Sequence, residues 1–548
     1  MDVTRPLAGT TVRASGDTLP LRVAAARLRA LGCTVERGPA APPDAPAGRL
    51  TAVRTPFGGA LPECRIGWSG PVAVPMRGER DVQAACGVMQ VHGRATGGPR
   101  VLPVDFASVC AGVLAAQAFT AAALAALHGR TDVAAATSVA QAAAFALTQY
   151  VAVATAEPGA DRPAEPSGDA ERTPPFRSSD GVLFEVETFD AERWLWFWSA
   201  LGAGRAAIVH GWPPFQQRFA TATCTLPPDL GKAAGEHDFR AVRDAADAAG
   251  VSVLPVRAAT VPPPPAPASP WRLRALTPPA APPEPLPPEP PPPGRGPLAG
   301  LRVVESTNRV QGPLAGHALG LLGAGVVRLE PPGGDPLRGV PPMSGGCSAR
   351  FRALNRGKSA VEADLKTEAG RDTALRLAAS ADVFLQNWPP GRAARFRLDA
   401  ADLAAVRPSL VYAHAGGWAD ALPAPQPMGT DYLVQAHSGV ASLVSGPTLL
   451  TITDVLGGLI AAEGAVAALL ARARTGAGVR AGTALIDAAR LLRVVVHSPV
   501  DDAPRAPVVS DLAAMAADPA YAALFESDGT ASYSRAPWTF DHTRELRP

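Results

Sequence analysis

The chain has 548 residues, enough for two to four domains with buried cores. Its 51 Lys and Arg nearly balance 49 Asp and Glu, and no basic stripe with interleaved aromatic residues occurs, which argues against nucleic acid as a partner. Six cysteines lack CxxC or Cys/His spacing, so neither disulfides nor a metal site is predicted. The first residues show no apolar segment typical of a secretory signal, and we expect a cytoplasmic protein.

Matching segments about 290 residues apart indicate an internal duplication. The pairs, first copy then second, are residues 6–9 and 297–300, 31–32 and 322–323, 108–112 and 454–458, and 269–271 and 536–538. The offset grows from 291 to 346 along the chain, so the first copy lacks 55 residues of the second. It falls to 267 at the last pair, so the second copy lacks 79 residues of the first. Neither copy is complete alone.

Residues 1–155 are assigned to the first copy, a partly degenerate large-domain half. Residues 106–127 contain no charge over 22 positions, a length that fits a bilayer. The stretch is mostly alanine with Ser, Gln and Thr, and Gln117 corresponds to Glu463 in the second copy. We therefore predict a helix buried in an α/β core, and no membrane partner.

Residues 172–256 have a different pattern. An alternating run at 181–186, a tryptophan-rich helix and a strand at 251–254 indicate a small α+β domain. Between residues 261 and 297 there are 18 prolines, a composition that favours extended polyproline II over a packed core. Residues 257–296 are therefore predicted to be a semi-rigid linker.

Residues 297–500 form the second large-domain half, followed by a C-terminal segment at 501–548. A strand at 301–305, a helix at 314–322 and a strand at 326–329 predict a βαβ unit with a parallel sheet. The predicted fold class is α/β: two Rossmann-like open parallel-sheet halves related by internal duplication, plus one small α+β domain.

The strongest candidate for chemistry is Asp454. A strand-like entry precedes it and a long apolar helix follows, so it is predicted at a helix start, where a carboxylate can cap free amides and is kept ionised by the helix dipole. Gly457 and Gly458 would weaken the first turn but let a ligand approach the backbone. The first copy has Ser108 at the position of Asp454, which retains a capping side chain without the carboxylate.

The second half contains several distinctive motifs. They are residues 297–304 (PLAGLRVV), 322–325 (LGAG), 330–336 (EPPGGDP), 354–358 (LNRGK), 364–367 (DLKT) and 386–391 (QNWPPG). Together they resemble the class III CoA-transferases, a family that includes formyl-CoA and carnitine CoA-transferases and the related α-methylacyl-CoA racemases.

The resemblance implies a set of site residues. They are Asp454 as the catalytic aspartate, Asn387 and Arg395 as CoA contacts, Val310 and Gln311 as a pair lining the site, and Asp431 as a nearby acid. The implied activity is transfer of CoA between an acyl-CoA and a carboxylic acid through a covalent aspartyl intermediate. Coenzyme A is then a substrate, and no metal or redox cofactor is required.

These and other polar residues also have purely structural interpretations. The alternatives are a turn for Asn387, a solvated helix for Arg395, a loop for Gln311, a cap for Asp431, a phosphate contact or a solvated surface for Lys358, and the core for His437.

Departures from the family bear on function. Thr430 stands where the racemases carry a histidine, which disfavours proton transfer at the α-carbon, and no shielding glycine-rich loop is visible at 156–172. Family members are interlocked dimers, so this chain is predicted to be an intramolecular pseudo-dimer, with a possible homodimer beyond it. Residues 172–256 should then cover the second half. Two alternative functions stay open: a noncatalytic acyl-CoA-binding protein, and an acyl-CoA isomerase or racemase.

Overall fold

The computed structural model describes residues 2–39, 47–131, 133–156, 174–260, 269–276, 296–444, 446–494 and 503–540. Most of the predicted linker, and nearly all of the stretch 156–172, lie outside the described residues.

The first half alternates strands and helices. Its elements are β1 (Thr11–Ser15), α1 (Leu19–Ala30), β2 (Thr34–Arg37), β3 (Gly48–Arg54), β4 (Glu63–Gly67), α2 (Glu79–Ala85), α3 (Val88–Gly93), α4 (Phe106–Leu127), β5 (Ala134–Ser138), α5 (Val139–Ala146) and α6 (Thr148–Ala156). The small sheet and its helices follow as β6 (Phe176–Arg177), β7 (Leu183–Glu187), α7 (Ala191–Ala200), α8 (Arg205–Thr221), α9 (Pro228–Gly235), α10 (Phe239–Ala249) and β8 (Ser252–Pro255), and then β9 (Trp271–Ala275).

The second half is longer. It comprises β10 (Arg302–Ser306), α11 (Gln311–Leu321), β11 (Gly325–Glu330), β12 (Met343–Ser344), β13 (Cys347–Ser348), α12 (Ala349–Asn355), β14 (Ser359–Glu362), α13 (Glu368–Ala379), β15 (Val383–Gln386), α14 (Arg392–Phe396), α15 (Ala400–Val406), β16 (Val411–Gly416), α16 (Asp431–Ser438), α17 (Val440–Leu443), α18 (Ile452–Thr475), β17 (Val479–Ala484) and α19 (Leu485–Val494). The C-terminal elements are α20 (Leu512–Ala517), β18 (Phe525–Ser527), β19 (Ser532–Ser534) and β20 (Trp538–Phe540).

The second half builds a sheet in the order β14-β11-β10-β15-β16-β17-β9, parallel except for β9. Val303 on the inner strand β10 lies opposite Val326 and Val383, and all three are buried. Such apolar strands suit a parallel sheet covered by helices on both faces. The predicted βαβ unit is confirmed as β10, α11 and β11.

The first half builds a sheet in the order β2-β1-β3-β4-β5-β20. β1 with β2, and β4 with β5, pair in parallel, whereas β3 is antiparallel to both of its neighbours. The α/β class is confirmed, but this sheet is mixed rather than purely parallel. A short hairpin can join antiparallel β3 to β4, whereas a parallel connection needs a dozen or more residues, and the first copy lacks 55 residues between the matching segments.

Each large sheet is completed by a strand from the far end of the other half. β9 lies inside the stretch 257–296 yet pairs with β17, so residues 271–275 form a strand of the sheet and the prediction of a linker is wrong for them. β20, at the C-terminal end, pairs with β5. Trp271 lies opposite Thr483, and Trp538 opposite Thr137, which are equivalent positions under the repeat offsets. The two halves therefore interlock within one chain.

The small three-stranded sheet, β6-β7-β8, lies against the second half. The hydroxyl of Ser252 accepts a hydrogen bond from the backbone N–H of Met428 at 2.9 Å, and the N–H of Arg257 donates to the carbonyl of Ala436 at 3.0 Å. The expectation that residues 172–256 pack over the second half is confirmed.

The longest helices of the two halves, α4 and α18, pack against each other. By length and composition each is apolar enough to cross a membrane, but the whole apolar window of α4 and 94% of that of α18 are buried inside the protein. Gln117 and Glu463, the corresponding positions, are both fully buried. The prediction of a buried helix at 106–127 is confirmed.

Candidate active site

Asp454 is the third residue of α18, inside the first helical turn. Its carboxylate accepts no hydrogen bond among the residues that the structure describes. The free amides at this helix end are capped instead by Asp431, whose carboxylate accepts hydrogen bonds from the backbone N–H groups of Thr453 at 2.7 Å and Asp454 at 2.9 Å. The capping role considered for Asp454 therefore belongs to Asp431, and the Asp454 carboxylate has no hydrogen-bond partner in the part of the chain that the structure describes.

The two carboxyl groups lie side by side. Asp431 is buried, and Gln435 donates to its second oxygen from Nε2 at 2.5 Å. Burial raises the pKa of Asp431 to about 6, against the opposing effect of its hydrogen bonds. Burial, and then the charge of Asp431, raise the pKa of the half-buried Asp454 well above its usual value, while the cation of Arg309 lowers it. The ionisation of Asp454 therefore depends on the charges around it.

Val310 and Gln311 lie at the start of α11, which packs on the first turns of α18. Both are buried, with Val310 at the N-cap position. The side-chain amide of Gln311 donates from Nε2 to the carbonyl of Gly416 at the end of β16, at 3.2 Å. The pair thus connects the carboxyl end of the sheet to the helix that carries Asp454.

The two glycines of α18 serve helix packing. A Cβ atom on Gly458 would lie 2.7 Å from the backbone oxygen of Gln311, and one on Gly457 would lie 2.7 Å from Cδ2 of Leu485 and 3.2 Å from Nε2 of Gln311. The interpretation of these glycines as space for a ligand is wrong, because α11 and Leu485 already occupy that space.

Asn387 follows β15 and holds the loop before α11. Its Nδ2 donates to the carbonyl of Asn308 at 2.9 Å, and its Oδ1 accepts from the Asn308 N–H at 3.1 Å. Arg395 lies on α14 with an exposed side chain, and no contact with either aspartate is found in the described part of the chain. The structure therefore brings the Val-Gln pair and both aspartates together, ties Asn387 to their loop and leaves Arg395 apart.

Arg309 was missed by sequence reasoning, together with groups on the small domain. Its guanidinium carbon lies 3.4 Å from the ring centre of Phe189 and 5.0 Å from that of Phe219. The charge of Glu187, at the end of β7, acts on both Arg309 and Asp454. Arg309 directly precedes Val310 and Gln311, and this position beside two predicted site residues could have indicated it. Phe189, Phe219 and Glu187 lie more than 200 positions before Asp454 along the chain, and no sequence pattern links them to it.

Lys358 and His437 are structural. The ammonium group of Lys358 donates to Glu305 at 2.8 Å, to the carbonyl of Pro313 at 2.7 Å and to Oδ1 of Asn355 at 3.0 Å, and its side chain is 2% exposed. It is thus neither a solvated surface residue nor free to bind phosphate. His437 is buried against the edge of Trp418, which confirms its assignment to the core.

The comparison with protein families decides the assignment. The model described as CoA-transferase family III matches residues 67–261 and 298–506, well over half of the chain. The chain belongs to CoA-transferase family III. The first matched region covers the first half from residue 67 onward plus the small domain, and the second covers the second half, consistent with a tandem fusion.

Family III relatives align with about a third of the chain. An acetyl-CoA:oxalate CoA-transferase of Acetobacter aceti is 34% identical over 35% of this chain and 52% of its own length. A succinate–glutarate CoA-transferase of Agrobacterium fabrum is 34% identical over 35% and 51%. A probable fatty acyl-CoA transferase of Mycobacterium tuberculosis is 35% identical over 35% and 51%, and its crystal structure gives a TM-score of 0.34 with 36% and 57% covered. The chain spans about half the length of the curated relatives it matches.

In this family III chain, the first half keeps the same hydrogen-bonded frame at its own long helix. Glu79, at the start of α2, accepts hydrogen bonds from the backbone N–H groups of Ala107 at 3.0 Å and Ser108 at 2.8 Å. Gln83 donates to Glu79 at 3.0 Å, one helical turn later. Ser108 is the third residue of α4, so it occupies the position that Asp454 has in α18.

Proposed function

We propose that this chain transfers CoA from an acyl-CoA to a carboxylic acid through Asp454. The observation that carries the proposal is the carboxylate of Asp454, half-buried in the first turn of α18 and without a hydrogen bond among the described residues, because its neighbour Asp431 satisfies the helix end. A carboxylate that makes no structural hydrogen bond among the described residues, and that lies near a cation, is suited to nucleophilic attack. Several relatives are named as CoA-transferases, which supports the same reaction class.

The proposed reaction has four bond exchanges. The Asp454 carboxylate attacks the thioester carbonyl of the donor, the C–S bond breaks, and a mixed anhydride and a CoA thiolate result. The thiolate attacks the aspartyl carbonyl, giving an aspartyl–CoA thioester and the free donor acid. The acceptor carboxylate attacks that thioester and displaces the thiolate. The thiolate finally attacks the acceptor carbonyl of the new anhydride, releasing acyl-CoA and regenerating Asp454.

The neighbouring residues serve positioning in this scheme. Gln311 and Val310 line the approach to α18, and Asn387 fixes the loop in front of them. We propose Arg395, on the helix that follows β15, as a CoA contact at the carboxyl end of the sheet. The steps need neither a metal nor a redox cofactor, and among the described residues no group of three His, Cys, Asp or Glu side chains could hold a metal ion.

The substrates are proposed from chemistry and from the relatives. Oxalate, succinate, glutarate and mesaconate, the acids in the names of several relatives, all carry two carboxylates.

We propose that a single chain suffices for the reaction, because the halves interlock and the small domain already covers the Asp454 side of the second half.

The test is intact-protein mass spectrometry after incubation with a panel of acyl-CoAs, including dicarboxylic ones. We expect a mass increase of one CoA less one water, abolished by hydroxylamine and mapped to Asp454 after borohydride reduction. Ser108→Ala is the matched control and should form the same adduct. Acyl-CoA binding without any adduct would favour a noncatalytic binding protein. Solvent deuterium at the α-carbon without an adduct would favour an isomerase or racemase.

A further inference from the structure

Arg309 has an unusual position for an arginine. Its backbone is in the left-handed region, with φ of 63°, which is uncommon for a residue other than glycine and costs conformational energy. Its guanidinium lies over Phe189 and also near Phe219, so the small domain fixes its place by cation–π contact. Within the described residues, none of its five N–H donors makes a hydrogen bond. The protein thus holds a cation in a strained loop without using its donors.

The carboxylates closest along the small domain are already paired. Arg218 donates to Glu185 and to Glu187, both at 3.3 Å, and these three side chains are buried together. Arg218 thus pairs with both carboxylates, although Oε2 of Glu185 and Nε of Arg218 have no hydrogen-bond partner among the described residues. This leaves Arg309 as a second cation at the same interface, with its donors available to another anion.

Two independent observations place Arg309 near the Asp454 end of α18. Along its own chain it is two residues from Gln311, whose Nε2 lies 3.2 Å from the Cβ position of Gly457, one turn after Asp454. Across the interface, it lines a small cavity with Tyr432, the residue after the Asp431 clamp. Its charge also acts directly on Asp454.

We propose that Arg309 binds the carboxylate of the acceptor acid once Asp454 carries CoA. This inference rests on the proposed function and deepens it. In the resting protein, the charge of Arg309 acts on the carboxylates of Glu187 and Asp454, and neither forms an ion pair with it among the described residues. When Asp454 becomes a thioester it is neutral, and the guanidinium then has one nearby negative charge fewer while its donors remain unused. An incoming carboxylate then replaces the lost charge and is held next to the carbonyl it must attack, by a paired geometry that guanidinium and carboxylate share.

The space between Arg309 and the small domain is too small for the acid. The cavity between Arg309 and the small domain is about 10 Å³, room for at most one water. The acid is therefore placed on the Asp454 side of the guanidinium. There, a carboxylate oxygen of the acid attacks the aspartyl carbonyl carbon, the C–S bond breaks, and the CoA thiolate leaves with the electron pair. Arg309 transfers no proton in this step.

The experiment separates the two half-reactions in the full chain. Arg309→Met should still form the Asp454–CoA adduct, at a rate whose pH profile moves to higher pH because the nearby positive charge is gone. Its KM for the acceptor acid should rise about 10- to 100-fold, as expected for losing a charge-assisted pair, with a smaller change in kcat. The KM of Arg309→Lys for the acceptor acid should lie between those of Arg309→Met and the native chain. Added guanidinium ion should partly lower the raised KM of Arg309→Met.

Arg240→Met, at an exposed position on α10, is the matched control and should leave both half-reactions unchanged. The proposal would be overturned by an unchanged KM for the acid in Arg309→Met. It would also be overturned if Arg309→Met slowed both half-reactions equally and guanidinium ion restored neither, because that result indicates a purely structural loss. A native chain that forms no adduct would instead defeat the proposed function itself. If Arg309→Met does not fold, the KM of Arg309→Lys decides, and an unchanged value counts against the proposal.

Discussion

The two halves of the molecule share a frame and differ in the groups attached to it. Glu79 and Gln83 clamp the start of α4 through the same hydrogen bonds that Asp431 and Gln435 make at α18. The frame persists where no nucleophile is present. The Asp431 clamp is therefore explained as a means of holding a helix end, and its closeness to Asp454 does not by itself make it a reacting group.

The differences fall at the places where chemistry is proposed. Under the repeat offsets, Ser108 replaces Asp454, and the counterparts of Gln311 and Arg309 are Pro20 and Thr18. Packing is retained: a Cβ on Gly112 would lie 2.7 Å from the backbone oxygen of Pro20, the same distance as in the second half. The first half thus keeps its helix contacts and lacks the polar groups.

The missing 55 residues remove a further part of the site. In the second half, parallel β15 is followed by Asn387 and then by α14, which carries Arg395. The equivalent place in the first sheet is taken by β3, which runs antiparallel and turns directly into β4. A strand of reversed direction delivers its carboxyl end to the opposite edge of the sheet. No counterpart of the Asn387 loop can therefore reach Ser108.

The largest effect is expected from removing the nucleophile. Asp454→Asn should lower CoA transfer by at least about 10³-fold while leaving the fold intact, because an amide cannot form the anhydride and the carboxylate makes no described hydrogen bond to lose. Steady-state kinetics and circular dichroism measure the two quantities. Ser108→Ala, the same position in the other half, should keep full activity. Equal losses in the two variants would show that the halves are not chemically distinct.

The second effect is on pH dependence. Asp454 attacks only as a carboxylate, and burial with Asp431 raises its pKa, so the transfer rate should increase with pH above the usual carboxyl range and fall about tenfold per unit below the pKa. The two carboxyls titrate as a pair. Asp431→Asn removes the neighbouring charge, so its rate profile should move to lower pH. Glu79→Gln is the control, and a shift there would contradict an effect local to the second half.

A smaller effect is expected from breaking each clamp. Asp431→Ala and Glu79→Ala each leave buried amides without an acceptor, so each should lower the free energy of unfolding by about 1–3 kcal/mol in denaturant titrations. Only Asp431→Ala should also lower kcat, since it alone displaces the turn that carries Asp454. A lower kcat for the folded Glu79→Ala variant would mean that the first half takes part in the reaction.

The sequence predicted the βαβ unit and the buried helix at 106–127, because hydrophobic periodicity and the repeat offsets depend on local pattern. The packing of the small domain was predicted instead from the resemblance to a family of interlocked dimers. The sequence did not predict the reversed β3, since an apolar strand reads the same in either direction. It also did not assign the capping of α18 to Asp431, because a side chain 23 residues before the helix caps it only through the fold and no sequence spacing indicates such a contact. Arg309 and Glu187 meet only through the fold, and long-range contacts of this kind have no signature in one sequence.

The smallest effect is expected in the first half itself, where we predict no second site. Ser108 is buried, its clamp carries the acid Glu79, and no described base or cation stands in the place of Arg309. Calorimetric titration should give one CoA per chain, for the native protein and for Ser108→Ala alike. Ser108→Asp combined with Asp454→Asn should form no covalent adduct, since a carboxylate placed there meets Glu79 without a counter-ion or a CoA loop. A CoA adduct in that double variant would mean that the missing carboxylate alone separates the two halves.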